Sequence, residues 1–374
     1  MEKLTKKTSP LFVAVVLILS SRTHPTLRTP ASSGADVPLI RDYPIDADTW
    51  SPERAVIPVN TEVEKAWAQM VRDSDPANLQ KGCAPTRYSP PEGVKREGAI
   101  VLTHGFTACP QQFFLLARML SDRGFEVMLP LLPGHGRKPL KNSADDISRL
   151  PDTRNWRDYL KFGEQINALV KSFPGIHVLG GLSAGAVVAA YSYESAPHLY
   201  DRLFLVSPFL SLADTRGTKV LHLLRFAPLA REIDLNFGAP CAREGKLGRG
   251  GICSYKVREA AAIDFFGEDI MAKFNVSSKT KIQIMATEKD PLANDKDSEL
   301  IAKRLTTGDE DVHFCMGPQA IGHEPYSRFD HPWEKKFWLP DLLKKTVAFL
   351  ADGEVFKTDG MSKLNPAYSL CAIK

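Results

Sequence analysis

From residue 98 onward the chain alternates short, unbroken apolar runs with longer stretches whose apolar residues recur every three to four positions, which predicts strand and helix in turn. "GAIVLTHG" (98–105) predicts a buried strand. "CPQQFFLLARMLSDRG" (109–124) predicts a helix with Phe113, Leu116 and Leu120 on one face and Gly124 as its stop. "FEVMLPLLPG" (125–134) is the next strand, running into a turn-rich loop. A helix follows from about Asn155 to Phe173, with Trp156, Tyr159, Ile166, Leu169 and Val170 at helical spacing and "PG" ending it. Then come strand "IHVLGG", helix "AGAVVAAYSYESA", strands "RLFLVSPF" and "TKIQIMATE", a polar helix near 296–305, strand "DVHFCMG" and a last helix "LLKKTVAFLAD". Alternation on this scale specifies an α/β fold, a mostly parallel central sheet flanked by helices on both faces.

One interval breaks the rhythm. From Leu212 to Phe274 the apolar patches "VLHLLRFAPLA" and "AAIDFFGEDIMAKF" read as helical and no clear strand appears. Insertions in such folds commonly sit over the carboxyl ends of the strands, so 212–275 is read as a helical cap dividing the core into 98–211 and 276–352. Residues 41–97 are proline-rich, with one helix at "TEVEKAWAQMVRDS", and are read as a leader packed against the sheet; 353–374 is a tail.

The amino terminus changes the picture. "MEKLTKK" is a basic segment and "PLFVAVVLILS" an apolar run, together resembling an export signal over residues 1–40, linker included. The run is shorter than the roughly 20 apolar residues that span a bilayer comfortably. The expectation is therefore an exported protein, periplasmic, secreted or held at the membrane by an uncleaved anchor. Lys and Arg number 48 against 44 Asp and Glu, a net +4 scattered along the chain, which argues against nucleic acid as a partner. Six cysteines in an exported chain permit pairing, and Cys241 and Cys253, bracketing "AREGKLGRGGI", are the expected disulfide; the other four are left open. There is no CxxC and no histidine cluster with metal spacing. "NVS" at Asn275 is a glycosylation sequon.

Chemistry concentrates at Gly181-Leu182-Ser183-Ala184-Gly185, a G-x-S-x-G placed between a predicted strand and an Ala/Val-rich helix. In that context the serine sits on a sharp turn with its hydroxyl exposed. Alternatively it is a small residue where strand and helix pack closely. A serine hydroxyl needs a base, normally a histidine oriented by a carboxylate, so the chain order serine, acid, histidine is the test. "KIQIMATEKDPLAN" ends a strand at Asp290, with Glu288 and Asp295 as alternates. "PQAIGHEPYS" places His323 in a Gly-flanked loop; His331 is the main rival and His313 lies inside a strand. His104, His135 and His177 precede the serine and are assigned structural roles. Backbone N–H groups of Phe106, after the "HG" that ends a strand, and of Ala184 are the expected oxyanion donors.

In this order, "HGFTACPQQF", "LPLLPGHG", "GLSAG", "EKDPLAN" and "GHEPYS" resemble the α/β-hydrolase superfamily. Within it the chain is similar to the carboxylesterase and monoacylglycerol-lipase-like branch with a serine aminopeptidase-like lid domain. The resemblance implies a serine hydrolase of carboxylic esters with Ser183 as nucleophile, His323 as base and acid, Asp290 as its orienting partner, and Phe106 and Ala184 as the oxyanion hole. It implies a small-molecule ester or lipid as substrate, no metal and no cofactor. Amidase, peptidase or acyltransferase chemistry on the same triad is the alternative, as is a non-catalytic binding protein on the same fold. A dehalogenase or epoxide hydrolase would need a carboxylate at position 183. The apolar "FAPLA" and "DFF" of the cap favour a medium-chain or aromatic acyl group.

Overall fold

A computed structural model describes residues 57–138, 150–213, 233–236, 250–252, 254–274, 279–305, 311–317, 319–326 and 338–356. The expected Cys241–Cys253 pairing, the Asn275 sequon, His331, most of the first half of the cap, the amino-terminal segment to residue 56 and the tail beyond 356 lie outside them.

The strands run β1 (Thr86–Tyr88), β2 (Gly98–Thr103), β3 (Phe125–Leu129), β4 (Ile176–Leu182), β5 (Arg202–Val206), β6 (Asp234–Asn236), β7 (Ser254–Lys256), β8 (Lys281–Thr287) and β9 (Asp311–Gly317). Seven of them form one sheet in the order β1-β3-β2-β4-β5-β8-β9. All neighbours are parallel except β1, which pairs antiparallel with β3. The helices are α1 (Thr61–Asp73), α2 (Phe114–Ser121), α3 (Asp158–Lys171), α4 (Ala184–Ser195), α5 (Val257–Lys273), α6 (Asp295–Leu305) and α7 (Leu339–Val347). The α/β fold expected from the sequence is the one observed.

Why the strands are apolar throughout follows from having two covered faces. Ala99 and Val101 join the cluster under α1, α3, α4, α5 and α6, whereas Ile100 and Leu102 join the cluster under α2 and α7. Successive side chains of a strand point to opposite faces, so a sheet buried on both sides needs a continuous apolar run. Helix α4 has no polar face for the same kind of reason: Ala184 to Ala190 are all buried between the sheet and α3 and α5.

Element ends differ from the sequence reading where backbone chemistry intervenes. The strand expected over 125–134 stops at Leu129, ahead of Pro130, which has no N–H to give a ladder. The strand expected to run to Phe209 stops at Val206, because Ser207 turns to φ 41° and Pro208 follows. The helix expected from Cys109 opens as a tight 3-10 turn, Pro110–Phe113, before α2 begins. The leader contributes a strand, β1, that its proline content concealed.

Two further departures concern the interval read as a cap without strands. It contains the short antiparallel pair β6–β7. Its "DFF" stretch lies on α5, where Phe266 stacks face to face on Tyr159 at 5.7 Å and meets Trp156 and Tyr191, so that phenylalanine is spent on packing and not on a substrate pocket.

The leader is fixed by buried charge. Glu126 on β3, fully buried, accepts from Arg87 Nε, from Ser89 Oγ at 2.9 Å and from Arg96 Nη2 at 3.2 Å, while Arg87 Nη1 reaches both oxygens of Glu64 on α1. Removing Glu126 leaves the buried Arg87 with Glu64 as its one carboxylate partner and takes the acceptor from Arg96 and Ser89. Glu126→Ala is expected to lower unfolding free energy by about 3–5 kcal/mol, and Glu126→Gln by less, since the amide still accepts. Urea unfolding followed by tryptophan fluorescence checks this; a loss below about 1 kcal/mol in Glu126→Ala would show that the cluster is not what holds β1.

Candidate active site

The winding of the sheet sets where the site lies. From β2 the chain steps one way to β3, then crosses back over β2 to β4 and continues outward through β5, β8 and β9. The carboxyl ends of β2 and β4 therefore flank the point at which the strand order reverses, where open α/β sheets leave a crevice.

Ser183 follows β4 directly, at φ 57° and ψ −120°, a backbone conformation that side chains rarely adopt. Crowding imposes it. A Cβ built on Gly185 would lie 2.1 Å from Thr103 O and 2.5 Å from His104 O, and one on Gly181 would lie 2.4 Å from the Gly185 carbonyl. Only hydrogen fits at either position. Thr103, opposite Gly181 in the β2–β4 register, closes the joint by donating from Oγ1 to Gly185 O at 2.8 Å, with Gly180 O at 3.1 Å. Both readings of the serine thus hold at once: the small residues exist for close packing, and the packing presents the hydroxyl.

The structure brings Ser183, His323 and Asp290 together. His323 Nε2 lies 2.9 Å from Ser183 Oγ, and His323 Nδ1 lies 2.8 and 3.0 Å from the two oxygens of Asp290. Asp290 is in turn held by the Leu292 and Ala293 N–H groups, at 2.8 and 3.0 Å on Oδ1. The loop carrying His323 is tied to β8 by Thr287 Oγ1, which donates to Gly322 O at 2.8 Å, and Gly322 supplies a φ of 73° there.

Electrostatics follow from this chain. Burial pushes the Asp290 carboxyl up, but the His323 charge, its hydrogen bond and the two backbone N–H groups outweigh it and hold Asp290 below the ordinary carboxylate range. Burial pushes His323 down, yet the charge and hydrogen bond of Asp290, with Glu324 adding, leave it above the ordinary imidazole value.

The alternates sit elsewhere. Glu288 is exposed and faces Lys289 at 3.6 Å; Asp295 accepts from the Lys289 N–H at 2.9 Å, at the start of α6. His313 pairs with Asp311 on the sheet edge. His177 stands at the amino end of β4, between the carbonyls of Leu199 and Phe173.

His104 and His135 are structural, and their structure bears on the site. His104 Nε2 accepts from the Leu132 N–H at 3.1 Å, so its proton is on Nδ1, which donates to Gly105 O at 2.8 Å. His135, which burial pushes down to about 4 and so keeps neutral, lies between two carbonyls, Nε2 against Phe106 O and Nδ1 3.0 Å from Pro133 O, its single N–H serving one of them. The Gly105 N–H goes to Gln112 Oε1 at 3.0 Å. Among the described residues the N–H groups of Phe106 and Ala184 meet no acceptor, and a Cβ on Gly105 would lie 3.6 Å from Ser183 Cβ, which puts this loop beside the serine.

Sequence reasoning missed Gln112 and the cross-link behind the loop. Cys83 and Cys109, two of the cysteines left unassigned, form a buried disulfide, and Cys315 is disulfide-bonded as well. Pairing is not readable from spacing, so only the position of Cys109 within "HGFTACP" was available as a signal. Among the described residues no group of three or more His, Cys, Asp or Glu is placed to hold a metal ion, and no helix is long and apolar enough to cross a membrane.

A family model described as the alpha/beta hydrolase family matches residues 100–331, well over half of the chain. The chain belongs to that family. Solved structures of similar fold include a monoacylglycerol lipase from Paleococcus ferrophilus, 17% identical over 72% of this chain and 98% of that one, with a TM-score of 0.53. A soluble variant of monoglyceride lipase from Saccharomyces cerevisiae aligns at 15% identity over 71% and 90% of the two chains, with a TM-score of 0.55. A thermostable carboxyl esterase from Bacillus coagulans aligns at 16% identity over 72% and 93%, with a TM-score of 0.52. At these identities the likeness is one of fold. A search of curated proteins returns no match.

In this α/β-hydrolase the elbow geometry is itself testable. Gly185→Ala places a carbon 2.1 Å from Thr103 O, so helix and strand must part; the expected result is loss of soluble protein or a fall in melting temperature of many degrees. Thr103→Val, which keeps the volume and removes the hydroxyl, is expected to cost about 1–3 kcal/mol because the buried Gly185 carbonyl loses its side-chain donor. Thermal unfolding of both variants, with Gly185→Ala no worse than Thr103→Val, would contradict the steric account.

Proposed function

We propose that this chain is a serine hydrolase that cleaves carboxylic esters through an acyl-enzyme. The observation that carries the reading is the continuous hydrogen-bonded run from Ser183 Oγ, at the reversal point of the sheet, through the His323 imidazole to the Asp290 carboxylate, all three buried. Family membership and a fold shared with proteins named as monoacylglycerol lipases and a carboxyl esterase agree with it.

Ser183 Oγ attacks the ester carbonyl carbon while His323 Nε2 takes its proton. Asp290 keeps the Nδ1 proton in place and stabilises the imidazolium that forms. The carbonyl oxygen becomes an oxyanion, which the Phe106 and Ala184 N–H groups receive, both without another acceptor and the second at the positive end of α4. His323 returns the proton to the departing alcohol as the C–O bond breaks. Water, deprotonated by the same nitrogen, then attacks the acyl-enzyme and releases the acid.

The basic and apolar segment at the amino terminus adds export to this proposal, with the substrate a small ester or a lipid met outside the cytoplasm or at a membrane face. A buried disulfide suits an oxidising compartment. Cell fractionation of the full chain, with a signal-cleaved or membrane-retained product expected, tests it.

A p-nitrophenyl ester chain-length series tests the chemistry. Ser183→Ala and His323→Ala are each expected to lower kcat by about 10⁴-fold or more and Asp290→Asn by about 10³–10⁴-fold, with a fluorophosphonate labelling wild type and not Ser183→Ala. Wild-type turnover by Ser183→Ala would end the proposal.

The pH profile has a fixed sign. Only neutral His323 can accept the proton, and its pKa is raised, so kcat/KM is expected to climb with pH through a midpoint above 6.5, the ordinary imidazole value. Residual activity of Asp290→Asn should show that midpoint moved down, because the charge that raises it is gone. His135 stays neutral down to about 4 and does not contribute to this limb.

A further inference from the structure

We propose that the Cys83–Cys109 disulfide is a positioning element of the oxyanion loop, so that catalytic turnover, more than substrate binding, depends on the cross-link. This rests on the esterase reading above.

The loop between β2 and the 3-10 turn at Pro110 has no helix or strand ladder of its own. Its backbone is held from both sides: within the loop Gly105 O accepts from His104 Nδ1 and the Ala108 N–H, and from outside the Leu132 N–H holds His104 Nε2, His135 Nε2 lies against Phe106 O and the Ile252 N–H reaches Thr107 O at 3.1 Å. A trans peptide points its N–H opposite to its C=O, so holding the Gly105 carbonyl aims the Phe106 N–H. Whatever moves that peptide moves the oxyanion donor.

Behind the loop the disulfide is where these outside elements meet. Cys109 stands three positions beyond Phe106, and Cys83 brings in the leader, the two halves being 26 residues apart and buried with Leu79 and Leu131. A Cβ on Gly250 would lie 2.7 Å from Cys83 Sγ and 3.6 Å from Cys109 Sγ, and one on Gly136 would lie 2.6 Å from Cys83 Cβ. The loop that carries His135 and the segment Gly250–Ile252 are thus in contact with the sulfur bridge itself. Hydrogen bonds follow the same convergence: Gly250 N–H to Gln111 Oε1 at 2.9 Å, Gly251 N–H to Gln80 Oε1 at 3.2 Å, Gln80 N–H to Gly136 O and Gln111 N–H to Gly82 O. Cutting the bridge removes the covalent tie between the leader and Cys109 and leaves these hydrogen bonds alone to hold together the leader, the His135 loop and the 250–252 segment, each of which holds or abuts a part of the oxyanion loop.

The test is the double variant Cys83→Ser/Cys109→Ser; a reductant is unsuitable because Cys315 is also disulfide-bonded. Deleting an oxyanion donor outright costs about 10²–10³-fold in kcat, and loosening one is expected to cost about tenfold or more, with KM changed by no more than about twofold. Affinity for an aryl trifluoromethyl ketone, which forms an oxyanion on Ser183, should fall by the same factor as kcat. If kcat and ketone affinity stay within about twofold of wild type well below the variant's melting temperature, the bridge is only a staple and the proposal is overturned. If the double variant does not fold, Gly250→Ala decides, since it keeps both cysteines and presses a carbon onto Cys83 Sγ. A selective loss of kcat in it supports the proposal and an unchanged kcat overturns it. Failure of the esterase reading is distinguishable, because wild type itself would then neither hydrolyse the ester nor react with a fluorophosphonate.

Discussion

Between the first turn of α4 and the ends of β2 and β4 there is no room for one additional carbon, and most of the site is a consequence of that contact. Gly181 and Gly185 let the helix axis come down onto the strand ends, and Thr103 fastens the joint from the neighbouring strand. The backbone between the two glycines has no unstrained path, and Ser183 takes up the strain. Its hydroxyl meets the His323 imidazole. The same approach puts the first N–H of α4, which meets no acceptor among the described residues, beside the hydroxyl, so hydroxyl and backbone donor are presented by one packing event.

The other half of the arrangement hangs on the opposite wing of the sheet. Asp290 and His323 follow β8 and β9, strands that add apolar surface to the core but do not touch the elbow's tight contact. Their placement relies on hydrogen bonds that short loops make to strand ends, such as Thr287 to Gly322 and the pair of N–H groups on Asp290. A buried carboxylate with that many donors is stable as an anion, and a buried imidazole beside it is stabilised as a cation relative to its burial alone. Steric crowding sets one half of the site and charge sets the other.

How much of this the sequence carried depends on the kind of interaction. Strands buried on both faces and helices with an apolar stripe write their period directly into the chain, and eleven-residue windows suffice to read β2, β4, α3 and α6. The order of Ser183, Asp290 and His323 was legible because each follows a strand in a parallel sheet, and such strands all deliver their ends to one side. Other features are fixed by partners distant in sequence. Strand β1 is three residues between prolines and exists because Glu126 waits for Arg87. The Cys83–Cys109 bridge has no spacing that distinguishes it from other pairings of six cysteines. Phe266, apolar in an interval read as a cap, could have lined a pocket; its stacking on Tyr159 is visible only once α5 is placed against its neighbours.

The separations along the chain have a consequence for the order of assembly. Arg87 finds Glu126 after 39 residues and Cys83 finds Cys109 after 26, so the leader, β2 and β3 can close upon themselves as an early unit. Ser183 and His323 are 140 residues apart, and their meeting waits for β5, β8 and β9 to add in turn. A chain emerging from its amino end therefore completes the elbow well before the imidazole that faces it exists. Until the last parallel strand docks, the serine hydroxyl on that elbow has no imidazole to bond.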